Sequence, residues 1–339
     1  MFLAAFEVSC VSISRSPFLP ALESLHTTIV WRSQYAIDVT KRFCSGKVLI
    51  AGSDCRRSGA LSQAGPVGCG VIRGSPHGIM RSAGRGSPMT MIVSHRGGAH
   101  LWPENTRFAF SKTAKLDVDL VEFDVHQTRD GKLVVHHDAL IDRMTDGKGA
   151  IADLTYEELA RHIVIGSGGE TIPTLTETID IFGPSAIDLR LEIKTGLDGK
   201  PYEGMEGRIL DELMATGMLA RTMVTSFALP RLQAFVAALD ERGLNAGELL
   251  GFIFLCLPQT VTQLGWHGIV AALRVSGMRE IAVRADALDA EVMDFFRAND
   301  VTVHGWAAHT SEAARMMFRL GVASFTTDRP DLAIVAKRG

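Results

Sequence analysis

The feature that most constrains this chain is a change of pattern at Met91, where short strand-like apolar segments begin to alternate with amphipathic helical stretches. The strand-like segments are 91–95, 120–126, 189–195, 222–227, 250–255, 280–283, 302–306 and 323–327. Helical spacing falls between them at 106–116, 175–182, 204–216, 229–242, 261–275, 289–299 and 311–321. Eight βα repeats in about 250 residues predict an α/β fold, a (β/α)8 TIM barrel. One stretch, 128–173, breaks the alternation after the second strand and reads as a small insertion. It opens with the turn Arg129-Asp130-Gly131-Lys132 and holds a short helix over 156–162 behind the capping pair Thr155 and Glu158. Barrel insertions on that side cover the mouth where chemistry is done.

Composition narrows the class. With 46% hydrophobic and 22% charged residues the chain can bury a full core, which excludes a collagen-like or wholly disordered protein. The longest apolar runs, such as 249–257, stop near nine residues, whereas a membrane helix needs roughly 20, so no integral membrane segment is expected. The net charge of −3 divides unevenly: residues 1–88 carry +6 and the remainder −9. An acidic main body argues against nucleic acid as a partner.

Residues 1–88 show no sustained period and end in a Gly/Ser/Arg-rich stretch at 65–88, so they read as an irregular or disordered extension to the barrel at 89–339. Glu7 interrupts the opening apolar run, with no basic residue before it, which fits neither a secretory signal nor a lipoprotein site at Cys10. The preferred reading places the start at Met89 or Met91, with 1–88 an artefact of gene-start assignment; organelle targeting is the rival. Four of the five cysteines lie there, irregularly spaced and without a C-x-x-C pair, and only Cys256 follows. A cytoplasmic location is the default expectation.

The chemistry-bearing residues cluster at strand ends. His95-Arg96-Gly97 closes the first strand, Glu122 and Asp124 the second, Glu192 and Lys194 the third, and His137-Asp138 stands early in the insertion. Strand periodicity sends Glu122 and Asp124 to one face, and Glu192 and Lys194 to one face. Three carboxylates aimed into a barrel repel one another and lose hydration unless a cation joins them. All-oxygen ligation favours a hard divalent ion, Mg²⁺ or Ca²⁺. The bland alternative is a set of buried ion pairs with Arg96, Lys194 or Arg190. A divalent ion beside Arg, Lys and two imidazoles suits a phosphate ester. His136 and His137 face opposite ways in an extended segment, and physics alone does not choose between them.

The ordered motifs His95-Arg96-Gly97, Pro103-Glu104-Asn105-Thr106, Glu122-Phe123-Asp124-Val125, Thr128-x-Asp130-Gly131, His137-Asp138, Ile172-Pro173-Thr174-Leu175, Leu191-Glu192-Ile193-Lys194 and Thr327-Asp328-Arg329-Pro330 closely resemble the glycerophosphodiester phosphodiesterases, across roughly 91–332. The resemblance implies that Glu122, Asp124 and Glu192 ligate the metal, His95 and His137 form the acid/base pair, and Arg96 and Lys194 hold the phosphate. It further implies attack by the glycerol 2-hydroxyl, with a cyclic phosphate then opened by water; His95 is assigned as the first base and His137 as the first acid. Glu104 is expected to brace Arg96 or a histidine, and Asn105 to cap the helix near Thr106. Trp306 matches an aromatic wall on the glycerol side, with a plain core tryptophan as the alternative.

Departures from the family pattern concern substrate choice: Ala307-Ala308-His309 follows Trp306 where Thr-Val-Asn is common, and Ala228 replaces a common Asp. The expected activity is hydrolysis of deacylated phospholipids, small-molecule glycerophosphodiesters, to sn-glycerol 3-phosphate and an alcohol. Rival readings are a lysophospholipase D or cyclising phospholipase, and a degenerate barrel that only binds phosphodiesters. Head group, choice of metal and oligomeric state leave no signal in the sequence.

Overall fold

The structure, a computed structural model, describes residues 89–338. The extension read at 1–88 lies outside the described residues. Along the described chain run β1 (Met91–His95), α1 (Arg107–Thr113), β2 (Leu120–Gln127), β3 (Leu133–Val135), α2 (Tyr156–Leu159), α3 (Leu175–Phe182), β4 (Asp188–Ile193), α4 (Met205–Ala215) and β5 (Thr222–Ser226). They continue with α5 (Leu229–Glu241), β6 (Gly251–Leu255), α6 (Pro258–Val275), β7 (Glu280–Arg284), α7 (Ala290–Ala298), β8 (Thr302–Trp306), α8 (Ser311–Leu320), β9 (Ser324–Thr327) and α9 (Pro330–Arg338).

Eight of the strands are parallel and form a closed barrel, because β1 pairs with β2 on one side and β9 on the other. β3 stands outside this ring, antiparallel to the end of β2, with Val125 opposite Val135. The pleat separates two environments. Val121, Phe123, Val125, Leu189, Leu191 and Ile193 point outward into the large core between sheet and helices. Their alternates Glu122, Asp124, Arg190 and Glu192 point into the barrel, and the register sets Glu122 beside Arg190 and Asp124 beside Glu192. The opposite inner wall is apolar, built on Met223, Ile253, Leu255 and Ala282 with Trp306 packed against them.

Segment 128–173 has its own small core of Val134, Ile141, Ile151, Leu159, Val164 and Ile172. Its helix α2 is shorter than the 156–162 expected, although Thr155 and Glu158 do form the reciprocal cap. Helix α6 begins at Pro258, earlier than the 261 read from periodicity, and is broken at Gly265, whose φ of +60° is outside the helical range. The closing helix α9 was missed; Pro330 opens it, as proline often does at a first helical position. No helix among the described residues is long and apolar enough to cross a membrane.

Candidate active site

The chain leaves β1 through a tight turn in which Arg96 (φ 51°) and Gly97 (φ 78°) are both left-handed. A side chain at Gly97 would meet Ala109 Cβ and Phe110 Cδ1 at 3.0 Å, so glycine lets the turn lie directly on α1. Thr113 fastens it by donating to the Gly97 carbonyl at 2.8 Å. Asn105 is left-handed as well (φ 55°), and its N–H bonds the Arg96 carbonyl at 3.0 Å. Non-glycine residues in this region carry strain that tends to gather at functional sites.

That geometry corrects the capping role expected of Asn105. The cap of α1 is Thr106, whose hydroxyl accepts from the Ala109 N–H at 3.1 Å. Asn105 is buried and turned inward instead, donating from Nδ2 to Asp124 Oδ2 at 2.8 Å, while its Oδ1 has no partner among the described residues. A left-handed backbone puts its side chain on the barrel side of the turn, out of reach of the helix's free N–H groups.

Glu122, Asp124 and Glu192 are buried at the barrel mouth, and one oxygen of each lies within 4.8 Å of the other two. Two of the three proposed cations form ion pairs: Lys194 Nζ sits 2.9 Å from Asp124 Oδ1 and 2.6 Å from Glu192 Oε1, and Arg96 Nε 3.3 Å from Asp124 Oδ2. Arg190 makes no such pair; fully buried, it reaches Ser324 Oγ at 3.4 Å, and Nε and Nη2 have no partner among the described residues. Burial would raise the Asp124 carboxyl, but Lys194 and Arg96 hold it far below the usual carboxylate range. Glu122 has less help: burial, reinforced by the Asp124 charge, pushes it up to about 7. Glu192 is also raised by burial, against the pull of Lys194. The donor set therefore fits a hard divalent cation, being all oxygen, mutually repelling and short of positive charge at Glu122.

Each candidate histidine is held by a carboxylate. His95 Nδ1 lies 2.5 Å from Asp328 Oδ1 and its Nε2 3.7 Å from Glu122 Oε2. His137 Nδ1 lies 2.6 Å from Asp138 Oδ1. Because a carboxylate only accepts, both Nδ1 atoms carry the proton, and each ring offers Nε2. Burial opposes charge on His95, yet Glu122 and Asp328 outweigh it and raise its pKa. His137 is lowered by burial, with Lys194 and Arg96 acting in the same direction against Asp124 and Asp138. His136 is buried against the Leu140 carbonyl at 3.3 Å, away from the mouth.

The supporting residues form one connected chain. Arg143 donates to Asp138 Oδ2 and to Glu104 Oε1, both at 2.6 Å, and Arg96 Nη1 donates to Glu104 Oε2 at 3.2 Å. His126, without a role in the sequence reading, is lowered by burial to about 3; its Nε2 lies 3.1 Å from the His137 carbonyl and its Nδ1 2.7 Å from Tyr202 Oη. Sequence reasoning placed Asp328 and Asp138 in motifs without giving them a role, and passed over Arg143. A carboxylate directly after His137, and the Asp of Thr327-Asp328-Arg329-Pro330, were the available signals; Arg143 offered none.

Two adjoining cavities open over these groups. One, of about 280 Å³, is lined by His95, Arg96, Glu122, His137, Glu192 and Trp306, among others. The second, of about 380 Å³, shares His137 and Glu192 and adds Lys194, His126, Ser226 and Ala228. Trp306 serves as wall and core together: it packs edge-on against Phe227 at 6.2 Å, and its Nε1 has no partner among the described residues.

Residues 95–332 match the Glycerophosphoryl diester phosphodiesterase family. A glycerophosphodiester phosphodiesterase of Caldanaerobacter subterraneus subsp. tengcongensis is 30% identical over 251 residues, covering 72% of this chain and 96% of the relative. The solved structure of a glycerophosphoryl diester phosphodiesterase homologue from Agrobacterium tumefaciens superposes with a TM-score of 0.69 at 35% identity, over 74% of this chain and 98% of that one. A phosphodiesterase of Oleispira antarctica, solved with the product sn-glycerol-3-phosphate, shares the fold at 21% identity and a TM-score of 0.61, over 74% of this chain and 98% of that one. By family match, sequence identity and fold, this chain belongs to the glycerophosphoryl diester phosphodiesterase family.

Proposed function

We propose that the barrel mouth hydrolyses glycerophosphodiesters to sn-glycerol 3-phosphate and an alcohol, with His95 and His137 as the proton-transfer pair. The observation that carries this reading is the pair of imidazoles, each tied at Nδ1 to a carboxylate, beside one buried acidic cluster. Glu122, Asp124 and Glu192 would hold Mg²⁺ or Ca²⁺, which when bound supplies charge to lower the pKa of a hydroxyl and to neutralise phosphate oxygens. Arg96 and Lys194 bind the phosphate. Trp306 flanks the glycerol in the smaller cavity, and the leaving alcohol occupies the larger one, which His137 but not His95 lines.

In the first step His95 Nε2 takes the proton of the glycerol 2-hydroxyl as its oxygen bonds to phosphorus. The bond from phosphorus to the alcohol oxygen breaks, and His137, entering the step as an imidazolium, gives that oxygen its Nε2 proton. In the second step water adds to the cyclic phosphate with the two histidines exchanging roles. The charge directions in the cation-free site run against these roles, for physical reasons that binding removes. Glu122, which most raises His95, is a proposed metal ligand, and the phosphate offsets the Lys194 and Arg96 charges that depress His137. The proposed compartment is the cytoplasm, which the single buried free cysteine of the described barrel, Cys256, fits.

The test is release of sn-glycerol 3-phosphate from glycerophosphocholine. Turnover is expected with Mg²⁺ or Ca²⁺, to vanish with EDTA and to return when the cation is restored; turnover unaffected by EDTA would sink the metal assignment. Leu257 and Phe227, both exposed beside the smaller cavity, favour trying lysophosphatidylcholine in parallel. Faster turnover of that substrate would replace the leading reading by the lysophospholipase one. Metal affinity should also depend on pH in one direction. Below about 7 Glu122 holds a proton that the cation must displace, so affinity measured by calorimetry should rise with pH up to that value and then level off. A flat profile through pH 7 would show that the cation displaces no proton from Glu122 in that range.

A further inference from the structure

Two histidines that the hydrolytic reading does not use stand on the far oxygen of the carboxylate that holds His95. Asp328 Oδ1 faces His95, while its Oδ2 lies 3.2 Å from His100 Nε2 and 3.3 Å from His309 Nδ1. The three donor atoms lie within 4.8 Å of one another, and the two imidazoles are 5.3 Å apart between ring centroids.

We propose that His100, His309 and Asp328 form a second metal site, suited to Zn²⁺ and similar borderline cations, whose occupation inhibits the hydrolase. Tetrahedral zinc with bonds of about 2.0–2.1 Å sets neighbouring donors about 3.3–3.4 Å apart. The Oδ2 contacts to both imidazoles, at 3.2 and 3.3 Å, are already near that spacing, so binding needs the two rings to turn toward the ion without moving the carboxylate far. Ligand type separates this site from the acidic cluster: two imidazoles and one carboxylate favour zinc, whereas Glu122, Asp124 and Glu192 favour a hard ion. His100 is exposed and gives an entry path, and a fourth position can be taken by water.

The surroundings supply both the ligand form and the consequence. The Asp328 N–H points to His309 Nδ1 at 3.0 Å, which places the ring proton on Nε2 and a lone pair at Nδ1. To give that lone pair to a metal the ring has to turn off the Asp328 N–H, at the cost of that hydrogen bond. Burial and the neighbouring cationic groups lower the His309 pKa, which favours the neutral ligating ring. The bond from His95 to Asp328 Oδ1 orients the carboxylate as outer partners of metal ligands commonly do. Occupation draws Asp328 charge away from His95, so the grip on the proposed base loosens and turnover falls.

The experiment uses the full-length protein in excess Mg²⁺, comparing wild type with His100→Ala and His309→Asn. Zinc content after equilibrium dialysis should be one equivalent higher in the wild type than in either variant; zinc held by the five cysteines is common to all three and cancels. Zn²⁺ should inhibit glycerophosphocholine hydrolysis at concentrations about tenfold or more below those needed for His100→Ala. Without zinc, that variant should turn over at the wild-type rate. Equal zinc content in all three proteins overturns the site. An extra equivalent with identical inhibition curves would locate inhibition at the acidic cluster and overturn the regulatory role. The inhibitory half rests on the hydrolase reading, whereas the zinc count is decided even in a protein that does not hydrolyse glycerophosphocholine.

Discussion

His137→Ala is expected to lower kcat/KM for glycerophosphocholine by about 10²- to 10⁴-fold, and to lose far less with a p-nitrophenyl diester of glycerol phosphate. The reason lies in which cavity each imidazole serves. His137 lines both cavities and stands beside the one assigned to the leaving alcohol, whereas His95 lines only the other. Choline departs as a poor alkoxide unless its oxygen is protonated, but nitrophenolate leaves without a proton. A missing acid is therefore forgiven by the better leaving group. His95→Ala should show a similar loss with both substrates, because deprotonating the attacking hydroxyl is needed in either case. Rescue of His95→Ala with no rescue of His137→Ala would exchange the two assignments, in keeping with the cation-free charge directions. Metal content should be unchanged in both variants, which separates loss of proton transfer from loss of the cation.

Asp124→Asn is expected to abolish metal-dependent turnover and to weaken the fold at the same time. Asp124 is buried and receives Asn105, Arg96 and Lys194 together. Replacement of an outer partner of a metal ligand costs about 10–100-fold in affinity, so loss of the ligand itself should cost at least about 100-fold. Asn105→Ala should lower metal affinity within that lower range through loss of the bond to Asp124 Oδ2, and also strain the left-handed turn. Stability should drop because Lys194 and Arg96 lose a shared buried partner, Lys194 keeping Glu192 and Arg96 keeping Glu104. An uncompensated buried charge costs about 3–5 kcal/mol; with one partner kept by each cation the loss should be smaller than that, readable as a lower urea midpoint. Wild-type metal affinity in Asp124→Asn would remove Asp124 from the ligand set, and an unchanged midpoint would show that its ion pairs carry no net stability.

Much of the site was legible because strand periodicity is strict. Once Phe123 and Leu191 are outward, Glu122, Asp124 and Glu192 have to face inward, whatever the helices do. Arg190 could be placed on the same inner face, but the sequence did not reveal that it would go without an ion pair there. That depends on a neighbour 134 positions away, Ser324, being what the guanidinium meets. Asn105 shows the opposite failure. Its place before Thr106 is a capping signature, and only the left-handed turn against Gly97 sends its side chain to Asp124.

The sequence by itself determined the eight βα repeats, the inward carboxylates and the two strand-end segments that carry His95 and Lys194, because these follow from local period and order along the chain. The tertiary structure alone decided the rest. It set His137 at the mouth and His136 against the Leu140 carbonyl, gave His95 and His137 each a carboxylate, tied Glu104 to both Arg96 and Arg143, and brought His100 and His309 onto Asp328. The contact between His95 and Asp328 joins residues 233 positions apart, and it exists because β9 closes the barrel onto β1. Local periodicity fixes which face a side chain takes, and ring closure fixes which side chains meet.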